Sequence, residues 1–222
     1  MNKHGLGTLP YIMQILRDAT RGMTEPMSFT IVQHYGRDPF LILVSCLLSL
    51  RSKDSMTLPI CLELFKTYRT PRDFIAASVQ DLERIIFKIG FYHKKAAILK
   101  QVSGVLIDRF QGQVPSTQEE LLSLPGVGIK TANLVLGVGF GIPAICVDIH
   151  VHRIANRLGW VVTKTPEETE RQLTVLVPQK YWLELNRRLV MWGQNICVPI
   201  SPFCSRCPVS SVCPKKGVTR HR

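Results

Sequence analysis

The sequence predicts an all-α protein, because signals that begin and end helices recur along it while the alternation typical of strands does not. A second observation is the segment 94–109, in which apolar residues recur at helical spacing. The third observation is that glycine stands where a predicted helix ends, as at Gly90. We expect about ten helices from these signals. The 222 residues, of which 45% are hydrophobic, suffice for one large or two small domains with a sizeable core.

The individual helices are predicted, in chain order, from residues that favour the N-cap position. Asp38 stands before a proline and an apolar segment that runs to residue 50, and Thr70 also stands before a proline. Ser78 opens the helix that ends at Gly90. Two later starts have a capping box, in which a hydroxyl residue is followed three positions later by glutamate. These boxes are Ser116 with Glu119 and Thr165 with Glu168.

The charge of the chain is strongly basic. A formal charge of +12 favours a polyanionic partner, either a nucleic acid or an anionic membrane surface, although it could also serve solubility alone. No acidic residue follows Glu184, and none lies between Glu83 and Asp108. The two zones could converge on one duplex, where each cation displaces counterions from phosphates. Their cations are Arg187, Arg188, Arg206, Lys215, Lys216, Arg220 and Arg222 in one zone, and Arg84, Lys88, Lys94, Lys95 and Lys100 in the other.

No segment of the sequence is expected to enter a membrane. The longest apolar run, near 40–50, has about half of the roughly 20 residues that a spanning helix needs. The N-terminal residues lack the charge, apolar run and cleavage site of a signal peptide. We therefore expect an intracellular, cytoplasmic protein in which stable disulfides do not form, so the seven cysteines need another explanation.

Four cysteines near the C-terminus follow the spacing Cys-x6-Cys-x2-Cys-x5-Cys, with prolines between them that favour a ligand loop over a regular helix. Zinc and an iron–sulfur cluster both accept four cysteines. The x6 and x5 gaps favour iron–sulfur over the paired Cys-x2-Cys of zinc sites; disulfides or chance clustering are the alternatives. The four are Cys197, Cys204, Cys207 and Cys213, whereas Cys46, Cys61 and Cys146 lie in apolar contexts and are expected in the core.

A glycine-rich turn is followed at once by a lysine. Gly126, Val127 and Gly128 separate two predicted helices, and both glycines permit a positive φ and leave room for a ligand. The turn amides and the next helix start form an anion site, although a tight turn without a ligand fits as well. Lys130 is then a solvated residue, a phosphate contact or a nucleophile. A nucleophilic amine needs a pKa of about 7–8 instead of about 10.4, so desolvation or the field of the helix N-terminus must outweigh a carboxylate such as Asp148.

Taken together, the glycine turn with Lys130, the Val-Asp-x-His segment at Asp148 and the cysteine spacing resemble the endonuclease III family. This is the iron–sulfur branch of the helix-hairpin-helix base-excision glycosylases, and the resemblance runs from about residue 30. It implies a two-domain all-α fold with a DNA-binding cleft between the domains. A six-helix domain would cover 32–142. The second domain would combine 1–31 with 143–222 and carry a 4Fe-4S cluster on the C-terminal cysteine loop.

The resemblance also implies an activity. Lys130 matches the catalytic lysine of the family and Asp148 its catalytic aspartate, while Gly126, Val127 and Gly128 would bind a phosphate near the lesion. The expected enzyme is a bifunctional glycosylase and AP lyase that removes oxidised pyrimidines through a Schiff base and cleaves by β-elimination. Its partner would be double-stranded DNA with damaged bases or abasic sites, bound by a monomer at the nucleoid.

Two other functions stay open from the sequence. A mismatch or monofunctional glycosylase would keep the lysine only as a phosphate contact and would release a base without cutting the strand. A non-catalytic DNA-binding module would bind damaged DNA without turnover. The sequence separates neither from the bifunctional enzyme by composition or spacing alone.

Three further residues are implied in DNA binding by the resemblance. Arg51 takes the position of a glutamine that the family inserts into the duplex, where an arginine can fork onto the orphaned base or a phosphate. Phe91 matches the apolar wedge of a second insertion loop, with a core residue as the alternative. His150 would orient the neighbours of Asp148 or contact phosphate, and a structural histidine fits equally well.

Overall fold

The computed structural model describes residues 7–222, and this part of the chain is helical without a β-strand, which confirms the predicted all-α class. Residues 1–6, which the sequence assigns to the second domain, lie outside the described residues. The α-helices are α1 Leu9–Ala19, α2 Met27–Tyr35, α3 Pro39–Ser49, α4 Asp54–Thr67, α5 Pro71–Ala76, α6 Val79–Ile86, α7 Tyr92–Phe110, α8 Gln118–Leu122, α9 Ile129–Leu134, α10 Ile149–Arg157, α11 Pro166–Leu176 and α12 Trp182–Asn195.

The described residues form two compact units. One is Met27–Ala144, and the other combines Ile145–Arg222 with the N-terminal segment that ends at Pro26. The predicted domain boundaries at 31/32 and 142/143 stay predictions about how the chain folds. No helix of the described chain combines the length and apolar character that crossing a membrane requires.

Helix α3 is the centre of the Met27–Ala144 unit. All nine residues from Phe40 to Leu48 are buried, and the helix packs against α2, α4, α7 and α9. It begins where it does because the Asp38 carboxylate accepts hydrogen bonds from the Phe40 and Leu41 amides, at 2.9 and 3.1 Å. Full burial of one such apolar side chain stabilises the fold by about 1.5–3 kcal/mol. The core therefore fixes α3 firmly, up to the point where the chain leaves it after Ser49.

Most predicted helix starts are confirmed and one is wrong. Asp38, Thr70, Ser78 and Thr165 are N-caps whose side chains accept amide hydrogen bonds. The predicted box at Ser116 is displaced by one residue, because Thr117 caps α8: its hydroxyl accepts from the Glu120 amide and donates to the Glu120 carboxylate at 2.6 Å. Two adjacent hydroxyl residues followed by two glutamates offer both registers, and only the path of the chain selects one.

In the other unit, α1 packs against α12 through an apolar face that includes Ile12 and Leu16. The Arg17 guanidinium forms a two-pronged ion pair with Glu184, at 2.8 to 3.0 Å, and Arg188 donates to the same carboxylate. Burial alone would raise the pKa of Glu184, but the hydrogen bonds from Arg17 and Arg188 outweigh it and lower that pKa. These bonds fasten α1 to the part of the chain that carries the cysteine loop.

Candidate active site

The glycine turn is a hairpin between α8 and α9, closed by a hydrogen bond from the Gln118 side-chain amide to the Asn133 side-chain carbonyl at 2.7 Å. Gly126 has a φ of +74°, and a Cβ there would lie 3.3 Å from Ile98. Gly128 is extended, with a φ of −103° and a ψ of 176°, and a Cβ there would meet nothing within 4 Å. Both glycines permit a positive φ, but only Gly126 adopts one.

Gly128 is the N-cap of α9 and has no side chain to cap the helix. The first amides of α9 thus face an open space, into which an anion can approach the backbone closely. Val127, between the two glycines, is buried and anchors the turn to the core. The hairpin consequently exposes backbone donors on a rigid support, which is the arrangement predicted for binding a phosphate.

Lys130 is the second residue of α9 and is exposed, while the following residues Thr131, Ala132 and Asn133 are buried. Its charge acts on the thiol of Cys46, a core residue whose pKa burial raises to about 12 and Lys130 lowers in part. Lys130 therefore stands beside the core around α3, on a helix whose next three residues are buried. Cys46, Cys61 and Cys146 are all buried, as the sequence predicts.

Arg51 lies in a strained turn directly after α3. The Ser52 amide donates to the Ser49 carbonyl at 2.9 Å, Leu50 has a φ of −54° and a ψ of 120°, and Arg51 has a φ of +57°. These values define a type II turn, whose third position normally requires glycine. An arginine there has a conformational cost of about 1–2 kcal/mol. The side chain itself is exposed.

Phe91 is a second non-glycine residue in the left-handed region, with a φ of 61° and a ψ of 31°, at the N-cap of α7. Its ring is 59% exposed. The alternative of a core residue is therefore wrong. An exposed aromatic ring on a strained backbone matches the apolar wedge that the sequence predicts, although the insertion itself stays a prediction.

Asp148 is the N-cap of α10 and is half-buried. One carboxylate oxygen, Oδ1, accepts hydrogen bonds from the amides of His150 and Val151, both at 2.9 Å. These bonds cap the first turn of α10 and fix the orientation of the carboxylate. The sequence marks Asp148 by its motif, and the structure supplies the reason for its position.

His150 and Arg153 form a partly buried layer between α10 and α12. The Arg153 guanidinium lies 3.1 Å from His150 Nδ1 and also donates to the carbonyls of Gly193 and Cys197. Because arginine has no acceptor, Nδ1 must accept, and a neutral ring then carries its hydrogen on Nε2. A Cβ on Gly193 would lie 2.6 Å from Nδ1, so this layer needs the glycine. These contacts give His150 a structural role, and its contact with phosphate stays a prediction.

The four clustered cysteines line one largely apolar cavity together with residues of α1, α10 and α12. None forms a disulfide, and burial raises the pKa of the Cys207 thiol to about 11. Two donors point at sulfur atoms: the Arg157 guanidinium at 3.3 Å from Cys197 and the Lys215 amide at 3.4 Å from Cys213. Within residues 7–222, no three side chains of metal-binding type are grouped tightly enough to hold a single metal ion.

Several cations of the two basic zones are engaged inside the protein. The predicted zones therefore overstate the charge available to a polyanion, because a cation in an ion pair or on helix carbonyls contributes less to counterion release. The engaged residues are Arg187 with Glu25, Arg188 with Glu184, Arg84 with Asp81, Lys95 with Leu48 and Ser52, and Lys100 with Phe74, Ile75 and Ala77.

Sequence reasoning does not identify Lys95 or Arg153 as site residues, although both make several contacts in the structure. Lys95 sits in a basic stretch and reads as a surface cation, yet it is 7% exposed. Arg153 follows the Asp148 motif without any pattern of its own. Burial of a charged side chain depends on neighbours that are distant in sequence, so neither residue carries a local signal.

Comparison with known proteins agrees with these features. The pattern of the HhH-GPD superfamily of base excision DNA repair proteins matches residues 44–179. Endonuclease III of Thermotoga maritima is 44% identical over 210 residues, which are 90% of this chain and 99% of that protein. Endonuclease III of Bacillus subtilis is 38% identical over 186 residues, which are 83% of this chain and 84% of that protein.

A solved structure of a trapped endonuclease III–DNA covalent intermediate, in its estranged-adenine complex, superposes with a TM-score of 0.83 at 34% identity. The match covers 95% of this chain and 96% of that one. The chain therefore belongs to the HhH-GPD superfamily of base excision DNA repair proteins and, within it, to the endonuclease III family. It is an enzyme, a DNA glycosylase with AP lyase activity.

Proposed function

We propose that the enzyme removes oxidised pyrimidines from double-stranded DNA and cuts the strand at the resulting abasic site, with Lys130 as the nucleophile. The observation that carries this proposal is the exposed Lys130 on the rigid start of α9, two residues after the unblocked backbone of Gly128. The likeness to an endonuclease III that was trapped in a covalent intermediate with DNA supports the same chemistry. We propose that the enzyme acts as a monomer.

The covalent step begins with attack by the lone pair of Lys130 Nζ on the sugar C1′. The glycosidic bond breaks, and the damaged base departs with the bonding electrons and takes up a proton. Opening of the sugar ring then gives a protonated imine between Nζ and C1′. The imine makes the C2′ proton acidic; its removal expels the 3′ phosphate by β-elimination and cuts the strand.

Asp148 is proposed to remove a proton from the lysine and to stabilise the positive charge that develops on the sugar. The amide hydrogen bonds from His150 and Val151 to Oδ1 fix the orientation of the carboxylate that would do this. The hairpin amides would hold a phosphate near the lesion. His150 would orient the neighbours of Asp148 or contact a phosphate.

The damaged nucleotide must leave the base stack before Lys130 can reach it, at a cost of a few kcal/mol. We propose that Arg51 and Phe91 fill the space that remains. Both side chains are exposed, and both are held on a backbone that normally requires glycine. Arg51 would meet the orphaned base through its guanidinium, and Phe91 would act as an apolar wedge.

The cofactor proposed for the cysteine loop is a 4Fe-4S cluster. The donor chemistry fits, because four free thiols and two N–H donors surround one apolar cavity. In a zinc site all four sulfurs lie about 2.3 Å from one ion, and no such tight group exists among residues 7–222. Cys197, Cys204, Cys207 and Cys213 would hold the cluster, which would supply structural cohesion to the loop.

The test of the reaction is reductive trapping. Incubation with a duplex that contains an abasic site, in the presence of borohydride, should give a covalent adduct and, without borohydride, a cut strand. Lys130→Ala should lose both, whereas Lys164→Ala, which removes an exposed lysine outside both basic zones, should keep both. An adduct that persists in Lys130→Ala would contradict the proposed nucleophile.

The choice of lesion is tested separately on a panel of duplexes. Release of oxidised pyrimidines with strand cleavage is expected. Base release that needs heat or alkali before the strand breaks would favour the monofunctional glycosylase, and tight binding without turnover would favour the non-catalytic module. For the cluster, broad visible absorption with roughly four irons per chain is expected; a colourless zinc protein would contradict it.

A further inference from the structure

One lysine contacts both of the predicted insertion segments. The backbone amide of Lys95 donates to the Phe91 carbonyl at 3.0 Å, which is the first hydrogen bond of α7. Its ammonium donates to the Leu48 carbonyl at 2.8 Å and to the Ser52 hydroxyl at 3.1 Å. Leu48 and Ser52 lie on either side of the Arg51 turn. Lys95 therefore joins the two ends of one strained turn to the start of the other.

The burial of this lysine calls for an explanation, because a charged ammonium loses its hydration when it is buried. Burial lowers the pKa of Lys95, while the Cys61 thiol acts weakly in the opposite direction. The two oxygens that accept from this ammonium, the Leu48 carbonyl and the Ser52 hydroxyl, are neutral, so the charge is held by hydrogen bonds and by the negative end of α3. Helix α3 has no basic residue in its own last turn, and Lys95 supplies that cation from α7.

Helix capping alone does not account for Lys95, as a second lysine of the same helix shows. Lys100 places its ammonium on the carbonyls of Phe74, Ile75 and Ala77 at the end of α5. Its partners are thus backbone carbonyls of one helix end. Lys95 differs because its second bond crosses the turn to Ser52.

A residue with φ near +57° keeps that conformation only where its surroundings fix it. The Arg51 turn has one internal hydrogen bond, from the Ser52 amide to the Ser49 carbonyl. The Lys95 ammonium adds a bond to each side of the turn, and it does so from the helix whose N-cap is Phe91. The two exposed side chains are consequently held in a fixed relation before DNA is bound.

We propose that Lys95 is a positioning residue for base flipping, which clamps the Arg51 turn to the Phe91 helix start so that both side chains enter the duplex as one rigid element. This inference rests on the proposed insertion roles of Arg51 and Phe91. Preorganisation matters because a loop that must be ordered during flipping adds its conformational entropy to the cost of unstacking. Lys95 itself stays away from the reacting atoms and acts through its two neighbours.

The test compares Lys95→Met with Lys100→Met, because both replace a capping lysine of α7 by an uncharged side chain of similar length. The first readout is hydrogen exchange of the Ser52 amide in the DNA-free protein. Exchange should accelerate by at least about tenfold in Lys95→Met and stay near the native rate in Lys100→Met. The second readout is 2-aminopurine fluorescence next to a tetrahydrofuran abasic analogue, at saturating protein. The rise on binding should fall by about half or more in Lys95→Met only.

Two results would overturn the clamp. The first is a Lys95→Met protein in which the Ser52 amide exchanges at the native rate and the fluorescence rises as much as in the native protein. The second is a Lys100→Met protein that loses as much of the fluorescence rise as Lys95→Met does, which would indicate general destabilisation. If Lys95→Met does not fold, Ser52→Ala removes the bond across the turn and should show a smaller change in the same direction.

Failure of the insertion roles is distinguished by Arg51→Ala and Phe91→Ala in the same assay. If both keep the full fluorescence rise, the proposed insertion is wrong. If both lose it and Lys95→Met keeps it, insertion stands and the clamp is wrong. We expect all three variants to lose the fluorescence rise, and Lys95→Met to show faster exchange of the Ser52 amide as well.

Discussion

Two kinds of tight connection in the Met27–Ala144 unit achieve a positive φ by opposite means. The hairpin between α8 and α9 uses Gly126, so the left-handed conformation there is almost free of strain. The segments after α3 and before α7 use Arg51 and Phe91, whose left-handed conformation has a cost of about 1–2 kcal/mol each. The unit therefore has glycine where the backbone is proposed to meet a phosphate, and strain where a side chain is proposed to enter the duplex.

The two kinds of connection differ in the groups that are proposed to contact DNA, which are backbone amides at the hairpin and side chains at the other two segments. At the hairpin a side chain would obstruct a phosphate, because the proposed donors are the backbone amides at the start of α9, whose N-cap is Gly128. At the other two segments a glycine would relax the chain and remove the group that is proposed to enter the duplex. Strain in a folded protein persists when neighbouring contacts fix it, and Lys95 provides such contacts on both segments.

The largest change in stability is expected for Gly126→Ala. Alanine disfavours a φ of +74°, and its Cβ would approach Ile98 to 3.3 Å, so the free energy of unfolding should fall by about 2 kcal/mol. Urea denaturation measures this loss, and affinity for duplex DNA should fall with it. A native unfolding midpoint in Gly126→Ala would show that the hairpin does not depend on the glycine conformation.

The next largest change in stability is expected at Phe91. Comparing Phe91→Gly with Phe91→Ala separates the effect of backbone strain from the effect of losing the ring. Both Phe91→Gly and Phe91→Ala remove the ring, but only glycine relieves the φ of 61°. Phe91→Gly should therefore be more stable than Phe91→Ala by about 1 kcal/mol, while both lose the fluorescence signal of base flipping. Equal stability of the two variants would contradict the assignment of strain to this residue.

Arg51→Gly is expected to be slightly more stable than the native protein. Relief of the type II turn is offset in part by the greater freedom of glycine in the unfolded state, which leaves a gain of about 0.5 kcal/mol. The same variant should cleave lesions more slowly, because the group proposed to meet the orphaned base is gone. A less stable Arg51→Gly would indicate that the arginine side chain makes stabilising contacts that outweigh the strain.

The smallest change in stability is expected for Gly128→Ala. Its backbone is extended and a Cβ would meet nothing within 4 Å, so the unfolding free energy should change by less than about 0.5 kcal/mol. The added methyl group faces the space proposed for a phosphate. Binding to undamaged duplex should weaken, as fluorescence anisotropy at fixed salt would measure. An unchanged affinity would contradict the proposal that a phosphate approaches Gly128.

The sequence predicts the features that depend on neighbours along the chain. Asp38, Thr70, Ser78 and Thr165 begin helices because a cap needs only the next few amides. The box at Ser116 shows the limit of this reasoning, since Thr117 satisfies the same pattern one residue later and is the cap. A one-residue choice of this kind is decided by packing.

Other features depend on distant neighbours and could not be predicted. The need for glycine at Gly126 differs from that at Gly128 because Ile98, far away in sequence, lies against only the first. Lys95 looks like part of a basic surface, and only the fold turns it toward Leu48 and Ser52. The cysteine spacing predicts a common site, whereas the apolar walls of its cavity come from three separate helices.

The most direct test of the proposed reaction is to locate the covalent bond. The native chain would be trapped with borohydride on a duplex that contains an abasic site, digested with protease and analysed by mass spectrometry. We expect the sugar remnant on Lys130 alone, at the start of the helix that follows Gly128. A remnant carried mainly by another lysine, or by the N-terminal amine, would contradict Lys130 as the nucleophile.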